Sequence, residues 1–287
     1  MTTDLRALTL KATRVAQETG WHALQDQINP HDLNDTAIPS ASVHVGSSID
    51  TKLVAYIESR LGEIDPADGM WRQRPDDARP GQRFWCVGSI DGSINFRRDM
   101  SEWTITISMF EFNREGSAQP ILGVVHAPAL RLTYAAAKGQ GAIRIRRTPT
   151  GEQRCKVMPS TTSRLAGSVV SFGMPHVPAE SARAFRVLNR IAGGPADIKR
   201  VGPVSLDLCK VADGTYDAYF EPHLHRWDIP AVSAGTVVVR EAQGEVSRWN
   251  GNPIHWRGEN DVVASNGLLD DELRPALADD APATKRP

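Results

Sequence analysis

Cysteine is scarce. The 287 residues hold three, Cys86, Cys155 and Cys209, odd in number and too widely spaced for a zinc-binding pattern. That argues against a disulfide framework. The N-terminal stretch MTTDLRALTLKATRVAQETG carries acidic residues and no continuous apolar core, so it does not read as a secretory signal. Reduced thiols and a cytoplasmic protein are therefore expected. An excess of one charge is also lacking. The 33 Lys and Arg against 34 Asp and Glu leave a formal net charge of -1, so no overall field draws the chain to nucleic acid or to an anionic membrane, and neither is expected as a partner. No apolar run approaches the ~20 residues that a membrane span needs. There is no internal repeat.

What remains is ordinary globular composition, 40% apolar and 23% charged. The length suits one large domain or two closely fused lobes. Residues 4–20 place Leu5, Leu8, Ala12, Val15 and Ala16 at helical spacing. Residues 51–62 repeat that period through Leu53, Val54, Ile57 and Leu61, with Ser47, Ser48 and Asp50 as candidate caps and Gly62 as a stop. The segment from Asp65 to Gly81 reads as an exposed loop. Strand-like runs follow: RFWCVGSI, WTITISMFEF, PILGVVHAP and RLTYAAAKG. In the second, Trp103, Ile105, Ile107 and Met109 alternate as in a half-buried strand. GSVVSFG predicts another strand, AESARAFRVLNRIAGG a helix with a glycine stop, VSLDLCKVADG a short helix, TYDAYFE a strand, and DIPAVSAGTVVVREAQG a helix. This interleaving favours a layered α/β or α+β architecture with mixed sheets. A soft boundary near residues 150–160 divides it into lobes of residues 1–155 and 156–275. Residues 276–287, without apolar anchors, read as a disordered tail.

Four carboxylates sit at structural transitions: Asp50 at a helix start, Asp91 after a strand, Glu221 at a strand end, and Asp228 at the head of a helix. Acids so placed can converge on one crevice and offer a hard cation its oxygen ligands. Each also has a bland reading. Asp228 before Ile-Pro is an ordinary N-cap, Asp91-Gly92 an ordinary turn, Asp50 a cap and Glu221 a solvent-facing residue.

Read together, the segments point further. GSIDGSINF resembles the signature Asp-Pro-Ile/Leu-Asp-Gly-Thr/Ser-x-Asn-Phe of the inositol monophosphatase family. HRWDIPAVSAGTVVVREAQG resembles its second signature, Trp-Asp-x-Ala-x-Gly with an apolar helix and Glu-Ala-Gly-Gly. RVGPVSLDLCKVADGTYDAYFE, GVVHAPALRLTYAAAKGQGA and VVASNGLL are similar to its other segments, in the same order, from about residue 5 to 270. The resemblance implies a five-layer α-β-α-β-α sandwich, commonly a homodimer, in which Mg²⁺ holds a phosphate monoester and activates water. It implies no nucleotide cofactor. It places Asp91, Asp228 and the Ile90 carbonyl among the metal ligands, and Ser93 beside the attacking water with Asp50 paired to it. Glu221 would meet substrate hydroxyls, and the Gly202-Pro203 backbone would touch substrate.

Two departures stand out. Gly88 occupies the place of the first Asp of the signature, which bridges two metals in the family, and the next residue is Ser89 rather than Pro. Upstream, where the family carries Gly-Glu-Glu, this chain reads ADGMWRQRPDD, and Trp71 to Gln73 fall near the ligand position. Asp76 and Asp77 could replace it only through a loop shift. Two dications ~4 Å apart repel by roughly 16 kcal/mol at an effective dielectric of ~20, so the loss of two acids argues against a paired cluster and leaves one Mg²⁺ at most. Arg72, Arg97 and Arg98 are candidates to clamp an anionic substrate instead. In EPHLHRWD, His225 matches a His sometimes present in the family's loop. His223 is less expected, and is a candidate substrate contact, acid–base group or, with His225, metal ligand. His176 in FGMPHVP is a lower-ranked candidate. Three functions compete: an enzyme acting on a phosphorylated or polyhydroxylated metabolite but diverted from two-metal hydrolysis, a Mg²⁺-dependent phosphomonoesterase with fewer metals, and a catalytically silent binding subunit.

Overall fold

The computed structural model describes residues 4–28, 48–75, 78–175, 177–257 and 260–278. The two amphipathic patterns near the N-terminus form α1 (Leu5–Ile28) and α2 (Ser48–Gly62). α1 runs past the expected end at residue 20. Its last turn is anchored by Gln27, which donates to the Phe96 and Met100 carbonyls and accepts from the Trp103 indole.

A seven-stranded sheet follows in simple sequence order: β1 (Gly69–Met70), β2 (Arg83–Asp91), β3 (Thr104–Phe112), β4 (Ala118–Ala127), β5 (Leu132–Ala137), β6 (Ala142–Thr148) and β7 (Gly151–Lys156). Only β1–β2 is parallel. A short helix, α3 (Ser93–Arg97), separates β2 from β3. The second sheet has the order β11-β12-β10-β8-β9, built from β8 (Val169–Phe172), β9 (Asp197–Lys199), β10 (Ala218–Leu224), β11 (Glu245–Ser247) and β12 (Asn260–Ser265). Its helices are α4 (Pro178–Ile191), α5 (Val204–Ala212), α6 (Ile229–Glu241) and α7 (Asp270–Leu277).

Packing sorts these elements into five layers. α1 and α2 cover one face of the first sheet through Leu8, Ile57, Leu61, Ile107 and Met109. α5 and α6 fill the space between the sheets, against Phe110, Val125 and Tyr134 on one side and Tyr219, Val262 and Ala264 on the other. α4 and α7 close the far face of the second sheet. This is the expected α-β-α-β-α order.

The expected half-buried character of β3 is corrected. Thr104, Thr106 and Ser108 face the central helices and are as buried as the apolar residues opposite them. Thr104 pairs with Ser205 of α5 at 2.6 Å, and Ser108 with Ser233 of α6 at 2.7 Å. A polar face here means hydroxyls bonded across layers, not contact with water. β6 and β7 went unread in the sequence. β7 is exposed along its whole length and is held by main-chain pairing to β6, so it carries no apolar alternation. Ala276 and Leu277, expected in a disordered tail, belong to α7, and Leu277 is buried. Residues 279–287, Asp76, Asp77, Ser47 and His176 lie outside the described residues. Among the described residues no helix is long and apolar enough to cross a membrane.

Candidate active site

β2 ends at Asp91 after its register with β3 shifts between Gly88 and Asp91. Gly92, at φ 88°, takes the left-handed conformation that turns the chain into α3, where Ser93 is the first residue. The first turn of α5 reaches across to this strand end. The Ser205 N–H donates to Asp91 Oδ2 at 3.0 Å and its hydroxyl donates to the same oxygen at 2.5 Å. On the opposite wall, Glu221 of β10 accepts the Tyr219 hydroxyl at 2.6 Å. Asp228 does not cap α6 with its side chain, so the simple N-cap reading is corrected. Its Oδ2 instead accepts the His225 N–H at 2.8 Å, closing the turn between β10 and α6. Asp50, in the first turn of α2, accepts a hydrogen bond from Ser89 at 2.6 Å. The resemblance pairs Asp50 with Ser93, but the hydroxyl that reaches Asp50 belongs to Ser89, the residue standing where the family has Pro.

Asp50, Ser89, Asp91, Tyr219, Glu221, His225 and Asp228 line one cleft of ≈ 1460 Å³ between β2, β10 and the starts of α5 and α6, and so do Ile90, Ser93, Gly202 and His223. Arg72, Arg97 and Arg98 line it as well. Arg72 is committed to Glu58, with Nη2 2.7 Å from Oε2. Arg97 and Arg98 make no hydrogen bond or ion pair with another side chain among the described residues. The cleft also gathers Arg200, Arg226 and Arg257, which sequence reasoning missed because lone arginines in loops carry no periodicity. Two acids were missed too. Asp207 of α5 lies behind the cleft wall, fully buried, with neither carboxylate oxygen hydrogen-bonded within the protein. Glu180, in the first turn of α4, approaches His225 at the rim. The Leu-Asp-Leu segment was the signal for the first. Nothing local marks the second.

The acids of the cleft are crowded together and buried, and Arg200 opposes that crowding only in part. Burial, then the charge of Asp228, pushes the Glu221 carboxyl upward. Burial raises Asp228, which the His225 N–H opposes and the Asp91 charge reinforces. Asp91 is raised by burial against the two bonds from Ser205. Burial carries Asp207 to about 7, although Lys210 and Arg200 pull it down. A single hard cation held by Asp91, Asp228 and the Ile90 carbonyl fits this donor set and would offset the repulsion.

A paired cluster does not fit. A Cβ at Gly88 would lie 2.5 Å from Thr106 Oγ1 and 3.0 Å from Pro230 Cβ, so the place of the missing acid is already filled. In the other lost region, Trp71 to Gln73, Trp71 is buried and stacked on Phe110 at 4.3 Å, inside an aromatic cluster with Phe84 and Phe112, and Arg72 pairs with Glu58.

The profile of the inositol monophosphatase family matches residues 11–283. An inositol-1-monophosphatase of Mesorhizobium japonicum is 28% identical over 234 residues, 80% of this chain and 82% of that one. A histidinol-phosphatase of Mycobacterium tuberculosis is 31% identical over 230 residues, 76% of this chain and 82% of that one. Among solved structures, the extragenic suppressor protein suhB of Bartonella henselae superposes with a TM-score of 0.76 at 25% identity, covering 96% of this chain and 99% of its own.

Proposed function

The chain belongs to the inositol monophosphatase family, and from that premise we propose that it is an enzyme acting on a phosphorylated or polyhydroxylated small molecule by a reaction other than two-metal phosphate hydrolysis: elimination, cyclisation or group transfer. The observation that carries this reading is the contrast within one cleft. Asp50, Asp91, Ser93, Glu221 and Asp228 all face it, while the space beside Gly88 is occupied by Thr106 and Pro230.

The roles follow from the contacts. Ser205 orients Asp91, and the His225 N–H orients Asp228. These two acids and the Ile90 carbonyl would hold at most one Mg²⁺, whose contribution when bound is to neutralise charge on a phosphoryl oxygen. Glu221, fixed by Tyr219, is placed to meet substrate hydroxyls. Arg97, Arg98 and Arg200 supply positive charge for an anionic group. A second reading, a phosphomonoesterase that works with one cation, is favoured by the retained Asp91 and Asp228 and by relatives named as phosphatases.

Phosphate release from a panel that includes inositol 1-phosphate, histidinol phosphate, sugar phosphates and nucleotides, with excess Mg²⁺ and separately with EDTA, separates the two. The first reading expects no Mg²⁺-dependent release. Release that needs Mg²⁺ and disappears in Asp91→Asn would replace it with the second.

A further inference from the structure

The rim of the cleft carries a second group of potential ligands, whose side chains have no part in the chemistry above. His223 lies in β10 and His225 just past its end, still extended at φ -92° and ψ 170°, and their rings lie 4.4 Å apart. Glu180 comes to them from the first turn of α4. Its Oε2 is 3.2 Å from His225 Nε2 and its Oε1 3.7 Å from His223 Nε2. One donor atom from each of the three residues lies within 4.8 Å of the others.

Donors around a tetrahedral dication with bonds of roughly 2.0–2.1 Å stand roughly 3.4 Å apart, and the two Glu–His separations bracket that spacing. The metal-free alternative is a hydrogen bond from His225 Nε2–H to Glu180, with the ring's other nitrogen accepting from the Asp228 N–H. A metal on Nε2 requires the ring proton to move to that other nitrogen and the Asp228 bond to be given up. The metal-free arrangement leaves His223 out, because 3.7 Å is too long for a hydrogen bond and the His223 ring makes no hydrogen bond among the described residues.

The frame around the three side chains is rigid. One turn after Glu180, Arg183 donates to the Pro222 carbonyl at 2.7 Å and to Asp261 at 2.9 Å, tying α4 to β10 immediately before His223. Trp227 stacks on the His225 ring at 4.2 Å and 14°. His223 and His225 line the cleft, which gives an ion a way in.

We propose that Glu180, His223 and His225 form a binding site for one transition-metal dication of the Zn²⁺ class, separate from the Asp91–Asp228 position. Two imidazoles and one carboxylate suit Zn²⁺, Co²⁺ or Fe²⁺ better than Mg²⁺, which prefers oxygen alone. Three protein ligands with a position left open is the arrangement of a metal that meets a substrate or water rather than a purely structural ion. The inference does not depend on which reaction the cleft performs.

The test is a titration of the full-length, chelator-treated protein with Zn²⁺ by calorimetry and with Co²⁺ by visible absorption. One equivalent of Zn²⁺ should bind to the wild type and to Asp91→Asn with similar affinity. Glu180→Gln and His223→Gln should each weaken it at least ~10-fold, while circular dichroism shows both variants folded. Bound Co²⁺ should show ligand-field bands without thiolate charge transfer, since the exposed Cys155 is the competing ligand. The proposal is overturned if the folded wild type binds no Zn²⁺, if both rim variants bind as tightly as the wild type, or if only Asp91→Asn weakens binding.

Discussion

Gly88 is closed to a side chain by Thr106 Oγ1 and Pro230 Cβ, both inside normal contact distance of the methyl carbon that an alanine would add. Gly88→Ala should therefore destabilise the protein by ~1–3 kcal/mol, the usual cost of overpacking, read as a lower urea midpoint. Thr106→Ala added to it should recover part of that loss. Thr106 Oγ1 is buried without a hydrogen-bond partner in the protein, so its removal gives up no bond while opening the space. Wild-type stability in Gly88→Ala would show that the strand end yields to a Cβ, and with it the argument against a second metal would fall. For the same reason Gly88→Asp by itself is not expected to restore a cluster: the new carboxylate would have to displace Thr106 first. The glycine in the signature was plain from the sequence. That its neighbours had closed over the gap depended on a strand partner, Thr106, and a helix residue, Pro230, far along the chain.

At the scale of elements, the central helices α5 and α6 are walled in by both sheets, and most of their residues are buried. Their hydroxyls must find partners across layers, which is how Ser233 comes to bond Ser108. Ser233→Ala should cost ~1 kcal/mol, the net value of a typical hydrogen bond. The double variant Ser108→Ala, Ser233→Ala should lose less than the sum of the two single changes, because removing both partners leaves no orphaned hydroxyl. Strictly additive losses would mean that the two hydroxyls do not depend on each other. Helices and strands with an apolar period, such as α2, β4 and α6, were legible to within a few residues at their ends. β3 was legible as a strand but not in its burial, because Thr and Ser read as surface until the layer that satisfies them is known. β7 was missed because an exposed edge strand is specified by main-chain pairing, which leaves no trace in side-chain pattern.

At the scale of the whole molecule, folding brings Asp91, Asp207, Glu221 and Asp228 from four different elements into one region, and burial makes their ionisation costly. Asp207 allows the consequence to be read cleanly. Its carboxyl ionises near ~3.9 in an unfolded chain and at about 7 when folded. Below the lower value both states are protonated, and the contribution is fully present. As pH rises toward 7 the unfolded chain ionises first, so this part of the stability is lost. The urea midpoint of the cation-free wild type should therefore fall between pH 4 and 7, and Asp207→Asn should flatten that fall. Parallel curves for the two proteins would show that Asp207 is not a source of the pH dependence.

The sequence by itself carried, in a run of signatures in the right order, the resemblance to the family, and through that resemblance the five-layer order and the expectation that Asp50, Asp91, Glu221 and Asp228 share a cleft. It also determined what is missing, since Gly88 and the stretch from Trp71 to Gln73 are visible where acids would stand. Only the tertiary structure decided which hydroxyl reaches Asp50, how Asp228 is bonded, and that the space beside Gly88 is filled. It alone brought Glu180 to His223 and His225. Each of these is a contact between residues distant in the chain, set by how layers stack, and no local pattern of residue types encodes such a distance.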